Sequence, residues 1–229
     1  MSKRVEQQAD ELRSVINQLA AELDQSRMQN EALQKLVRNL QQEALTDELS
    51  GLWNRRFFDQ QIAKLQARLD NGGESYCIAL LDLDHLKQIN DRFGHVIGDV
   101  VIQQVSRQLK ELMVPADDLC RIGGDEFAVI MTNTSLAKAQ ARIKEVVDQL
   151  DLVDLAAKSI IIWNRLREDS QKSVPSPEQV FQDRGPLNVS LCIGIAEAMP
   201  GESGIQLLDR ADRNLYESKQ GTAQRHLRD

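Results

Sequence analysis

The chain has 229 residues, 41% of them hydrophobic, which is enough for one domain of ordinary size plus an appendage. A formal net charge of −7 argues against a broad grip on nucleic acid, which needs a basic face, although a few local cations can still hold a nucleotide. Three widely spaced cysteines in or beside apolar stretches, Cys77, Cys120 and Cys192, read as reduced, buried thiols rather than a metal site. With no apolar leader and no run near the roughly 20 residues that span a bilayer, a cytoplasmic protein with no membrane span is expected.

Residues 1–46 contain neither Gly nor Pro and are rich in Gln, Glu, Leu and Ala, a composition that favours helix. Apolar residues recur with a period near seven. Val5, Leu12, Leu19, Ser26, Leu33 and Leu40 fall at d, and Ala9, Ile16, Leu23, Asn30, Val37 and Ala44 at a. Leu at d with Ile, Val or Asn at a favours a parallel two-stranded coiled coil. Glu22 at g can meet Arg27 at e of the partner helix, which supports that arrangement. Val15 and Leu36 at g widen the apolar stripe beyond what two strands need. The stalk is therefore expected to form a homodimer and to offer a surface to a regulatory protein or a second dimer.

From Thr46 the texture changes to alternating strand and helix patterns. Residues 47–56 read as a polar turn leading into a helix from Phe57 to Leu69. Tyr76 to Asp84 is an apolar run of the kind found in a buried central strand, and it ends in acids. Helical patterns begin at His85–Ile89 and continue at Val96–Leu112. Cys120–Met131 reads as a hairpin, because Gly123-Gly124-Asp125-Glu126 interrupts two strand-like segments. An amphipathic helix follows from Leu136 to Leu150, then a strand over Val189–Ala196 and a last helix over Ile205–Ser218. This order predicts an α+β fold, a mostly antiparallel sheet covered by helices.

Asp82 lies at the end of the central strand, and Asp125 and Glu126 lie at the hairpin tip. Carboxylates at such positions can converge on one divalent cation, which would offset the cost of burying them. Lys87 can offer a point charge to a phosphate. Asn90, Asp91, His95 and Asp99 form a polar, Gly-punctuated stretch whose Asn and Asp side chains can read a guanine edge. Gly123 and Gly124 lack a Cβ and let a bulky ligand approach closely.

Four blocks carry these residues: 47–56 (DELSGLWNRR), 82–99 (from Asp-Leu-Asp-His-Leu-Lys to Gly98-Asp99), 123–127 (GGDEF) and 211–219 (ADRNLYESK). Together and in this order they make the chain from about Ala44 to Lys219 resemble the GGDEF diguanylate cyclases. The resemblance implies a nucleotidyl-cyclase, palm-like fold over residues 47–229. It also implies condensation of two GTP to cyclic di-GMP with release of pyrophosphate. It puts Mg²⁺, or Mn²⁺ in its place, on Asp82, Asp125 and the Leu83 carbonyl. Glu126 is implied as a further metal partner or as the group that helps deprotonate the attacking 3′-hydroxyl. Asn90 and Asp99 go to guanine, and Lys87, Arg121 and Lys219 to phosphates.

The chain also departs from the family. An Arg-x-x-Asp site that binds product is replaced by Val114-Pro115-Ala116-Asp117, so weak or absent product inhibition is expected. A Gly-Arg pair usually found after Lys219 is missing, with Arg225 as a substitute for its phosphate contact. Residues 151–188, with Trp163 in a short apolar run, read as an insertion. Two further readings stand beside an active cyclase: a catalytically silent GTP-binding sensor, and a coiled-coil scaffold whose head binds only proteins.

Overall fold

The computed structural model describes residues 2–150 and 189–226. The expected insertion with Trp163, and the side chain of Arg225, lie outside the described residues. The chain divides after Ala44 into two compact units.

The first unit is one helix, α1 (Ser2–Glu43), as its freedom from Gly and Pro predicts. Leu19, Leu23, Leu33, Val37 and Leu40, at the expected a and d positions, are each more than half exposed. Among the described residues no helix is long and apolar enough to cross a membrane.

The second unit is built on a five-stranded sheet. In chain order its elements are β1 (Trp53–Asn54), α2 (Arg55–Asp70), β2 (Tyr76–Asp84), α3 (Leu86–Phe93), α4 (His95–Leu112) and β3 (Asp118–Arg121). There follow β4 (Glu126–Thr132), α5 (Leu136–Gln149), β5 (Ser190–Glu197) and α6 (Gly204–His226). The strand order is β1-β3-β4-β2-β5. The β3–β4, β4–β2 and β2–β5 pairs are antiparallel, and β1–β3 is parallel.

Two details differ from the sequence-based expectation. The polar turn over 47–56 ends in strand β1, and α2 begins two residues early because the Asn54 side chain accepts from the Phe57 N–H and caps it. The last helix runs past Ser218 to His226.

Side chains alternate along β2 between two cores, as a strand buried on both faces requires. Cys77, Ala79, Leu81 and Leu83 pack with α3, α4 and α5. Tyr76, Ile78 and Leu80 pack with Phe58 and Ile62 of α2 and Leu207, Ala211 and Leu215 of α6. Asp82 and Asp84 continue the second face beyond its apolar part. Helix α6 lies directly on β5 at Gly194, where a Cβ would stand 2.0 Å from the Ala211 carbonyl oxygen and 2.4 Å from the Leu215 nitrogen. Only Gly permits that approach, and it brings Lys219, one turn beyond Leu215, over the acidic end of β2. All three cysteines are buried thiols, and burial pushes the Cys77 thiol up to about 12.

Candidate active site

The central strand and the hairpin meet at their ends. Asp82 stands opposite Glu126 in the β2–β4 register, so the two carboxylates share one face of the sheet. One step further, the Leu83 N–H donates to the Asp125 carbonyl at 2.9 Å, which ties the hairpin tip to β2. The turn is closed by the Ile122 N–H, which donates to the Glu126 carbonyl at 2.9 Å. A Cβ on Gly123 would come within 2.4 Å of Glu126 Oε2. The missing side chain thus makes room for Glu126 to fold back over the turn.

Arg121, expected on a phosphate, uses its whole guanidinium inside the domain. Nη1 donates to Asp47 Oδ1 at 3.0 Å, while Nε and Nη2 donate to the Gly124 carbonyl at 3.3 and 2.8 Å. Asp47 Oδ1 also accepts from the Ser50 N–H and hydroxyl at 2.8 and 2.6 Å. Burial raises the Asp47 pKa, but the hydrogen bonds from Ser50 and Arg121 prevail and hold it below the ordinary value. This bracket joins the turn at 47–52 to the glycine hairpin. An Asp three residues before a Ser hints at the turn in sequence, but the 74-residue span to Arg121 leaves no local signal.

Lys219, expected on a phosphate, lies against the acidic end of β2. Its Nζ lies 2.9 Å from Asp82 Oδ1, with side chains 40% and 13% exposed. Burial pulls the Lys219 pKa down, but the bond and charge of Asp82, with Asp84 behind it, hold it above the usual lysine value. Asp84 faces β5, where its carboxylate accepts from the Ser190 hydroxyl at 2.8 Å and the Cys192 thiol at 3.0 Å.

Beyond β2 the chain turns through His85 in the left-handed region (φ 65°) straight into α3, which no side chain caps. The first N–H groups of a helix placed at a strand end suit an anion. Lys87 projects exposed from this turn. Asn90 follows on α3, and its Oδ1 is buried without a hydrogen-bond partner. A Cβ on Gly98 would sit 1.9 Å from that oxygen, so the Gly of α4 keeps the Asn90 amide in place. Asp99 is exposed next to it. The orphaned amide of α3 and the exposed acid in the first turns of α4 are groups able to hydrogen-bond a polar ring edge.

Among the described residues no three His, Cys, Asp or Glu side chains form a ready metal cage. The donors nevertheless fit a hard divalent cation. They are carboxylate and carbonyl oxygens, and an ammonium group already stands at Asp82 as a surrogate cation. Asp117, the remnant of the Arg-x-x-Asp pattern, is sealed. Its side chain is 2% exposed, and both carboxylate oxygens accept from Arg142 Nη1 of α5 at 2.8 Å.

The profile described as "Diguanylate cyclase, GGDEF domain" matches residues 44–162. The chain belongs to the GGDEF family. Its GGDEF domain is similar to the response regulator PleD of Caulobacter vibrioides, 38% identical over 177 residues, which are 77% of this chain and 34% of PleD. The chain thus spans about a third of that curated relative. A crystal structure of the coiled coil and GGDEF domain of DgcB from Caulobacter crescentus, in complex with cyclic di-GMP, is 29% identical with a TM-score of 0.68. The match covers 89% of this chain and 95% of that crystallised chain. The diguanylate cyclase SiaD of Pseudomonas aeruginosa, in complex with its activator SiaC, is 25% identical with a TM-score of 0.63 and covers 96% of this chain and 76% of SiaD. The mixed five-stranded sheet flanked by helices is the architecture of this family.

Proposed function

We propose that this GGDEF domain is a diguanylate cyclase that condenses two GTP into cyclic di-GMP and two pyrophosphates. The observation that carries the reading is the pairing of Asp82 with Glu126 across β2 and β4, with a lysine cation held at the same carboxylate. A sheet end that gathers oxygen donors and a mobile cation suits a metal–triphosphate, because phosphoryl transfer depends on positioning and on charge stabilisation.

In this reading Asp82, the Leu83 carbonyl, Asp125 and Glu126 hold Mg²⁺, or Mn²⁺ in its place. When bound, the ion neutralises charge that builds on the α-phosphate and on the departing pyrophosphate. Asn90 and Asp99 hold the guanine edge. Lys87, the α3 N-terminus and Lys219 hold phosphates. Gly123 and Gly124 let the nucleotide lie against the hairpin backbone. Arg121 acts from behind, by bracing the hairpin against Asp47.

Each 3′-hydroxyl attacks the α-phosphorus of the opposite GTP. One P–O bond forms, the bond to pyrophosphate breaks, and the hydroxyl proton passes to water, with Glu126 assisting. The product has two identical halves, so two sites face each other across a two-fold axis. A parallel stalk raises the effective concentration of one domain for the other, and the exposed a and d residues of α1 suit that pairing. The SiaD–SiaC complex supports the further proposal that a regulatory protein engages this chain and sets the dimer geometry.

Incubation of the purified chain with GTP and Mg²⁺, followed by chromatography, tests the reading. Cyclic di-GMP from the wild type and none from Asp125→Ala or Glu126→Ala is the expected result. Unconsumed GTP in the wild-type dimer, or full rates in either variant, contradicts it.

A further inference from the structure

Asp82 ends a buried strand with its side chain only 13% exposed. A carboxylate so placed needs a positive partner, and Lys219 Nζ is that partner at 2.9 Å. The two residues come from different elements. Asp82 is fixed by pairing to both β4 and β5. The ammonium stands at the end of a flexible four-carbon stem, 40% exposed, on a helix anchored a turn earlier where Leu215 crosses Gly194. Lys219 can therefore leave Asp82 by rotating its own side chain, with α6 unmoved.

We propose that Lys219 is the resident counter-ion of the metal carboxylate and is exchanged when the site loads: it vacates Asp82 for a phosphate as a divalent cation and nucleotide arrive together. The proposal rests on the cyclase reading of the site. Its logic is competition at one oxygen. A divalent ion that arrives alone must displace an ammonium group, and the displaced charge then has no anion to receive it and repels the newcomer. Nucleotide supplies that anion. Metal and nucleotide affinities are thereby coupled, and the coupling is reciprocal. Lys219 disfavours the bare cation and favours the cation–nucleotide pair, so the site stays clear of free metal until substrate is present.

The test is binding, measured apart from turnover. Mn²⁺ is titrated into the nucleotide-free full chain, and free Mn²⁺ is counted by electron paramagnetic resonance. Lys219→Met should bind Mn²⁺ alone about fivefold or more tightly than the wild type, the low end of ordinary site coupling. The same variant should bind a non-reactive GTP analogue with Mg²⁺ more weakly. Lys219→Arg keeps the charge and should leave Mn²⁺ affinity near the wild-type value. Asp82→Asn should lose the Mn²⁺ site in either background, which assigns the signal to this carboxylate. Mn²⁺ affinity in Lys219→Met that is unchanged or weaker overturns the exchange. If that occurs in a wild type that makes cyclic di-GMP, the exchange alone has failed and the cyclase reading stands. A wild type inert toward GTP while Lys219→Met gains Mn²⁺ affinity places the failure on the cyclase reading instead.

Discussion

Removing Arg121 discriminates between two roles for one residue. If it braces the hairpin, Arg121→Ala loses one ion pair to Asp47 and two hydrogen bonds to the Gly124 carbonyl. Charge-assisted hydrogen bonds contribute about 1.5–3 kcal/mol each when shielded. Arg121 is 12% exposed and Asp47 26%, so water weakens the pair and the expected loss is about 2–3 kcal/mol in urea unfolding of the full chain. Asp47→Ala should cost about the same, since it strands the guanidinium and frees the Ser50 turn. Because they share a bond, the double variant should fall short of the sum by about 1 kcal/mol.

Kinetics supply the second arm. Both single variants should lower kcat with little change in KM for GTP, and the double variant should be no worse. A large rise in KM confined to Arg121→Ala, with Asp47→Ala behaving as wild type, would make Arg121 a direct phosphate ligand and refute the brace. The pH dependence has a definite sign. The Asp47 pKa is lowered below 3.8 on folding, so its stabilisation is complete above the unfolded value and is lost as pH falls through the folded one. Urea midpoints taken from about pH 5 to pH 3 should fall less steeply in Asp47→Asn than in the wild type.

Three further outcomes follow from close approaches and one sealed pair. Gly194→Ala drives a Cβ against the α6 backbone at 2.0 Å and should cost about 3 kcal/mol or more, seen in thermal or urea unfolding; a loss under about 1 kcal/mol would mean that α6 yields easily. Gly123→Ala brings a Cβ to 2.4 Å from Glu126 Oε2 and 3.1 Å from its Cβ and Cδ, all side-chain atoms that can shift. Its folding stability should stay within about 1 kcal/mol of wild type while turnover falls about tenfold or more, and unimpaired turnover would show that the folded-back Glu126 is not needed. With Asp117 bound to Arg142 and Val114 in place of the family Arg, steady-state rates should resist added cyclic di-GMP. Strong inhibition that Asp117→Ala abolishes would overturn that expectation.

Much of this protein is local and therefore visible in one dimension. The glycine-free heptads announce a long helix. The two-sided apolar run Tyr76–Leu83 announces a central strand. The Gly-Gly pair between strand-like segments announces the hairpin. Asp82, Asp125 and Glu126 stand out in the sequence as acids at a strand end and a turn. Strand β1 escaped notice because a two-residue parallel pairing leaves no periodicity in its own sequence.

Partnership was decided in three dimensions. No spacing shows that Arg121 turns inward to Asp47 and Gly124, that Arg142 closes on Asp117, or that Lys219 rests on Asp82. Each pair joins segments brought together by sheet register and helix seating, and a long charged side chain can reach several acids. Which acid it finds depends on the packed distances, and those exist only after the two cores have formed.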